Sequence, residues 1–261
     1  MSARQISTGG RSRVHLILFV GLMGTAQLVG AQAPPTGSQQ SPRESAPWDI
    51  SGQWVSIVNE DWRSRMVTPP PGDYAGLPLN AAGRSIADSW DPSTDGACEA
   101  FGAAGVMRMP TRLRIEWQGA DTIVIETDAG RQTRRLEFNG NARPEQASRQ
   151  GYSTAEWTRP INARGIFGPR PDADSAASGY LTVTTDSLLS GWLRRNGVPY
   201  SAETSMTEHM DRFFAPDGSE WLMITTIVTD PVYLAQPYVT STHFRKETNR
   251  SNWQPFDCGA Q

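Results

Sequence analysis

From residue 110 onward the chain alternates inward and outward positions with a period of two. Leu113, Ile115 and Trp117 interleave with Arg112, Arg114 and Glu116, and Ile123 and Ile125 interleave with Thr122, Val124 and Glu126. That period puts successive side chains on opposite faces of a strand. It predicts further strands over residues 133–138 (after the Gly130 turn), 152–158, 180–187, 202–214, 221–229 and 238–246. Pro216-Asp217-Gly218 and Asp230-Pro231 mark turns between the last three. A Gly-, Pro- and Asp-rich insertion occupies residues 159–178. Ahead of residue 110 the pattern is different. Order is expected to begin at Trp48, and the stretch to about residue 109 is dense in Pro and Gly. It contains the rigid bend Pro69-Pro70-Pro71-Gly72 and one short helix over 81–89 capped by Asn80.

Many short strands with almost no helix predict an all-β fold. The expected form is an antiparallel β-barrel with a Pro/Gly-rich N-terminal extension and one short helix. Closure removes exposed strand edges, which suits a chain whose single lysine, Lys246, leaves little to guard them.

The first 31 residues read as an export signal. Arg4, Arg11 and Arg13 make a basic start, residues 14–20 are apolar apart from His15, and Val29-Gly30-Ala31 offers small residues for cleavage. The apolar run is too short and too broken by glycine for a span of about 20 residues. No stable membrane insertion is expected once it is removed. Residues 32–47, rich in Pro, Ser and Gln, read as a disordered linker, and 48–261 as a single barrel domain. Loss of the three arginines, with no acidic residue among them, takes the net charge from −3 to −6. The mature protein is thus exported, periplasmic or extracellular. In that oxidising setting Cys98 and Cys258, the only cysteines, are expected to form a disulfide.

Composition also excludes chemistry. Two cysteines rule out a four-thiolate zinc site, and with His15 removed only His209 and His243 remain, too few for a three-histidine metal centre. No metal or cofactor is expected. The charge balance lacks a nucleic-acid footprint, and no phosphate loop or serine nucleophile elbow occurs.

The segment Gly191-Trp192-Leu193-Arg194-Arg195-Asn196-Gly197-Val198-Pro199 resembles a stretch of exported bacterial proteins of unknown function. So do Leu181-Thr182-Val183-Thr184-Thr185, Thr207-Glu208-His209 and Thr229-Asp230-Pro231-Val232-Tyr233-Leu234. The similarity runs from about Trp48 to Lys246, and Arg-Arg-Asn-Gly-Val-Pro is its most specific part. The resemblance implies a lipocalin-like barrel with a ligand cavity and carries no established activity. The 159–178 insertion departs from that compact form.

Candidate chemistry follows from the strand phases. Met206, Glu208 and Met210 share one face, and an inward glutamate between methionines would be desolvated and useful as an acid or base, unless an arginine pairs with it. His209 points the opposite way unless a bulge intervenes. His243, on another strand, is a wall residue or a proton carrier. Asp230 either caps turn amides or orients His243, with Tyr233 supplying a phenol. Arg194, Arg195 and Asn196 fall in a loop where paired arginines would clamp a carboxylate at the barrel mouth. Trp192, Tyr200 and Trp221, with Met206 and Met210, complete the candidate ligand-binding set; nine tryptophans favour a flat or apolar ligand beyond core packing.

Three functions fit these residues. The first is a carrier or scavenger that binds an apolar or aromatic-acid small molecule in its cavity. The second is a cofactor-independent lyase, isomerase or cyclase drawing on Glu208, His243, Asp230 or Tyr233. The weaker third is a carbohydrate-binding or carbohydrate-cleaving module. The sequence does not decide whether there is catalysis, and homo-oligomerisation stays open.

Overall fold

A computed structural model describes residues 40–94, 98–140, 143–159 and 179–258. The expected signal peptide, linker residues 32–39 and insertion residues 160–178 lie outside the described residues. In chain order the strands are β1 (Gly52–Ile57), β2 (Arg112–Gln118), β3 (Thr122–Thr127), β4 (Ala129–Gly130), β5 (Thr133–Glu137), β6 (Tyr152–Thr158) and β7 (Tyr180–Asp186). There follow β8 (Gly191–Arg194), β9 (Val198–Tyr200), β10 (Ser205–Phe214), β11 (Glu220–Thr229), β12 (Tyr238–Glu247) and β13 (Phe256–Asp257). The helices are α1 (Trp62–Met66), α2 (Ala81–Asp88) and α3 (Ala103–Val106). Among the described residues no helix is long and apolar enough to cross a membrane.

Nine strands close a barrel in the order β1-β12-β11-β10-β7-β6-β5-β3-β2. Every pairing within the barrel is antiparallel but one. Leu136 and Glu137 of β5 run parallel to Ser153 and Thr154 of β6, so both strands start at the same end of the barrel. The alternation seen in the sequence becomes an inward and an outward wall. Leu222, Ile224 and Val228 of β11 are buried, as are Met206 and Met210 of β10 and Phe244 of β12. Each such side chain contributes about 1.5–3 kcal/mol of burial free energy.

The two ends of the barrel differ. At one end the connections are the tight turns 119–121 and 215–219, and residues 40–50 lie across it. Trp48 Nε1 donates to Gly179 O at 2.8 Å, and Trp157 Nε1 donates to Pro42 O at 3.0 Å. Arg43 N also donates to Ala120 O, so residues read as linker from the sequence sit against this end. The other end, the mouth, carries residues 58–94 and 98–111, the β8–β9 hairpin and the loop 230–237. Residues 101–107 are buried without a break and plug it. Val106 and Met107 join the apolar core inside, while Ala103 and Ala104 join a second core with Leu193, Val198, Tyr200 and Leu234. Close approach makes glycine necessary here. A Cβ on Gly102 would stand 2.0 Å from the Tyr200 hydroxyl, and one on Gly105 would stand 2.7 Å from Trp192 O.

The disulfide links Cys98 to Cys258 across 160 residues, with Cα atoms 4.9 Å apart. It ties the start of the plug to the C-terminal strand β13, which pairs with β4. Helix α2 begins as its sequence suggests: Gly83 N donates to the Asn80 side chain at 2.9 Å. The Arg194-Arg195-Asn196 segment is the turn of the β8–β9 hairpin, with a register irregularity between Trp192 and Arg194.

Candidate functional site

Between the two apolar cores the lumen holds a polar chain built from four neighbouring strands. Arg134 (β5), Ser153 (β6), Thr185 (β7) and Glu208 (β10) each point inward and are buried. Arg134 Nη2 donates to Glu208 Oε2 at 2.6 Å and Nη1 to Oε1 at 3.1 Å. Nη2 also lies 3.3 Å from Thr185 Oγ1, which is 2.8 Å from Ser153 Oγ. Both side chains of the pair are 0% exposed. Both Glu208 oxygens are therefore occupied by one guanidinium, and the glutamate is half of a desolvated bidentate ion pair. Only Arg134 Nε in this chain of groups is without a partner.

His243 lies on the outer face of β12, with Nδ1 3.3 Å from Glu60 Oε2. His209 is outward as well, its ring edge-on to Tyr180 at 5.5 Å and its Nδ1 3.4 Å from Thr182 Oγ1. Asp230 caps the loop beyond β11. Its Oδ1 accepts from Val232 N (2.7 Å) and Tyr233 N (2.9 Å), and its Oδ2 from Ser201 N (2.5 Å) and Thr204 Oγ1 (2.7 Å). Burial pushes the Asp230 carboxyl up, but these four donors outweigh it and hold its pKa below the ordinary carboxylate value. Asp230 does not meet His243. The register sets Val228 beside Tyr238, at the mouth, and Met223 beside His243, further along the wall. Tyr233 takes part through its backbone, whose carbonyl accepts from Asn80 N at 3.0 Å.

The remaining sequence candidates divide. Met206 and Met210 are core residues. Trp221 sits near the end remote from the mouth, stacked on Phe213 at 5.9 Å, with Nε1 donating to Ser219 Oγ at 2.7 Å. Tyr200 is fully buried against Gly102 and Gly191. Its hydroxyl has no partner, and burial pushes its pKa up to about 12. Trp192 is half-buried behind the plug.

Arg194, Arg195 and Asn196 belong to a site at the mouth. Arg194 Nη1 and Nη2 both donate to Ala75 O at 3.2 Å, and Asn196 Nδ2 donates to Asp73 O at 3.0 Å. These bonds tie the Pro69–Gly76 stretch, bent by its three prolines, to the β8–β9 hairpin, beside a groove of ≈ 650 Å³. Trp62, Val67, Pro69 and Pro70 give it an apolar wall, and Arg63 and Arg194 with Asp61 and Asp73 give it charge of both signs. Trp62 is 59% exposed. A smaller pocket of ≈ 40 Å³ adjoins it, sharing Ser64, Thr68, Pro69 and Arg194, and is lined also by Arg65, Arg108, Arg195 and Tyr238. An aromatic or aliphatic body fits the first and a small polar group the second.

Sequence reasoning missed Arg134, although Arg134 shares the inward phase of Leu136 on its strand. It missed Trp62, Arg63, Arg65 and Arg108 for a different reason: they lie in short elements without periodicity. Among the described residues no three His, Cys, Asp or Glu side chains group to hold a metal ion. Compared with known proteins, the chain matches no family model, no curated protein and no solved structure.

Proposed function

We propose that this chain is an exported barrel that binds an apolar or aromatic small molecule, an acid by preference, as a carrier or scavenger, and that the ligand lies in the groove at the mouth. The groove itself carries the reading: an apolar wall of Trp62, Val67, Pro69 and Pro70 is flanked by Arg63 and Arg194 as well as by Asp61, which Arg108 holds, and Asp73. An exposed tryptophan in a concave site is what a flat ligand uses. Export is supported by the basic and apolar residues 4–20, by the small residues before position 32, and by the disulfide. The resemblance of the 191–199 segment to exported lipocalin-like proteins points the same way. Catalysis has less support, since Glu208 is bound to Arg134 and His243 to Glu60 on the other side of the wall.

Two measurements test this. Native mass spectrometry of protein taken from its own exported fraction, followed by denaturation and solvent extraction, should release a small apolar molecule. Titration with 2-naphthamide should show saturable binding that Trp62→Ala weakens by about tenfold, equivalent to about 1.4 kcal/mol. A Trp62→Ala protein that binds as tightly as the parent would overturn the assignment to the groove.

A further inference from the structure

The small pocket next to the groove is built from positive charge. Arg65, Arg108, Arg194 and Arg195 all line it. Two of them are spent on the protein itself. Arg108 donates to Asp61 Oδ2 at 2.6 Å and to Ser241 O at 3.2 Å, and Arg194 donates both Nη groups to Ala75 O. Arg65 is spent in part: Nε donates to Arg108 O at 2.8 Å and Nη1 pairs with Glu60. Its Nη2 has no partner, although the side chain is only 2% exposed. A buried charged donor left without an acceptor is more costly than a neutral one. Burial already draws the Arg65 pKa down to about 10 against the pull of Glu60. Arg195, across the pocket, is paired with no carboxylate of the described residues. The acidic groups in reach do not supply the acceptor, because Glu60 is held by Arg65 and His243, and Asp61 by Arg108.

We propose that this pocket is an oxyanion site that takes the carboxylate of the groove's ligand, with Arg65 Nη2 as its buried donor and Arg195 as its outer one. The inference rests on the groove reading and narrows it to amphipathic acids: head in the arginine pocket, ring or chain along Trp62 and Val67. Size agrees, since ≈ 40 Å³ exceeds the roughly 10–15 Å³ that one water needs and falls far short of a ring. The shared residues Ser64, Thr68, Pro69 and Arg194 make head and body sites continuous. Planar guanidinium forks match carboxylate geometry, whereas an amide would bring an N–H toward donors.

The test compares 2-naphthoate with 2-naphthamide, which share the ring and differ in the head, by calorimetric titration of the full mature chain. The acid should bind at least tenfold more tightly than the amide. Arg65→Met, which keeps the apolar stem, should bring the acid to the amide's affinity and leave the amide unchanged. Because that variant also frees Glu60, Arg195→Gln is the companion: a several-fold loss for the acid alone, with the thermal midpoint unmoved. Equal affinity for acid and amide in the parent protein would overturn the oxyanion pocket and leave the groove reading standing. Failure of both probes to bind would overturn the groove reading and this inference with it.

Discussion

The two ends of this barrel solve the same problem, closing a hole, with opposite chemistry. The end beneath residues 40–50 is sealed by aromatic side chains. Trp48 meets Trp157 at 5.6 Å, Phe138 lies 6.0 Å from Trp157 and 5.4 Å from Trp117. The indole N–H groups of Trp48, Trp54 and Trp157 each donate to a backbone carbonyl. The mouth is sealed by a glycine- and alanine-rich plug and leaves polar atoms unmatched. Among the described residues the buried side-chain atoms without a partner are Arg65 Nη2, Arg134 Nε, Gln150 Oε1, Trp192 Nε1, Asn196 Oδ1 and Tyr200 Oη. Five of the six belong to the mouth, and Arg134 Nε to the belt between the two ends. Folded proteins leave few such groups, and those they keep gather where function sets the residue choice. One end is built to hold the fold; the other is the end to which the proposed function assigns the ligand.

The belt between them offers the largest way to break that contrast. Glu208→Gln strips the charge from a fully buried pair and leaves Arg134 uncompensated. Destabilisation of about 3–5 kcal/mol is expected. Replacing both partners, Arg134→Met with Glu208→Leu, should recover most of it, because the pair's own desolvation cost disappears too. Urea unfolding of the single and double variants measures both. If the double variant is as unstable as Glu208→Gln alone, the pair is not the reason for the loss. The same series bears on binding, since a double variant that folds and still binds 2-naphthoate removes Glu208 from any essential role in holding the ligand.

How far the sequence reveals this architecture depends on what each element uses to declare itself. β2, β3, β10, β11 and β12 show a period of two, and the helix α2 shows its Asn80 cap. Those features are local. The disulfide was legible by counting, since two cysteines in a chain expected to be exported leave one pairing. β8 and β9 were hidden, being four and three residues long with Arg194 and Pro199 among them. The plug at 101–107 is too poor in large side chains to show amphipathicity. The Arg134–Glu208 pair spans 74 residues, so no window contains both; only the inward phase of a charged side chain marked each end. At the candidate site, Arg194 and Arg195 were legible as a pair of basic residues in a turn. Arg65, Arg108 and Trp62 were not, because their convergence is made by the path of the loop and not by spacing.

A smaller effect at the mouth concerns Asp230, which organises the loop 230–237 and the β9–β10 connection through four donated hydrogen bonds. Its folded pKa lies below the ordinary carboxylate value, so its contribution is fully present above about pH 4 and is lost as the pH falls further. Asp230→Asn should cost about 1–3 kcal/mol at neutral pH, as Ser201 N–H and the Thr204 hydroxyl then face an amide that brings its own donors. The gap between parent and variant should close as the pH drops below about 4. Urea midpoints at neutral pH and at about pH 3 decide it, and a gap that stays constant between them removes the charge from the explanation.

The smallest expected change sharpens the contrast most, because it removes an unmatched atom and nothing else. The Tyr200 ring is fully buried between the plug and β8, and its hydroxyl stands where a Cβ on Gly102 or Gly191 would collide with it. With no acceptor in reach, that O–H lost its water on folding and gained no bond in return. Burial pushes its pKa up to about 12, which is the same desolvation read through titration. Tyr200→Phe keeps the ring and deletes the oxygen. A hydroxyl with a native partner would cost about 0.5–1.5 kcal/mol to remove. Here the stability should stay within about 0.5 kcal/mol of the parent or rise. A loss of more than about 1 kcal/mol in urea unfolding would mean that the hydroxyl has a partner in solution, and the mouth would then be less frustrated than its geometry implies. If stability holds while 2-naphthoate affinity is unchanged, the unmatched oxygen serves neither fold nor ligand. Should affinity fall instead, Tyr200 transmits to the groove through Gly102 and the plug.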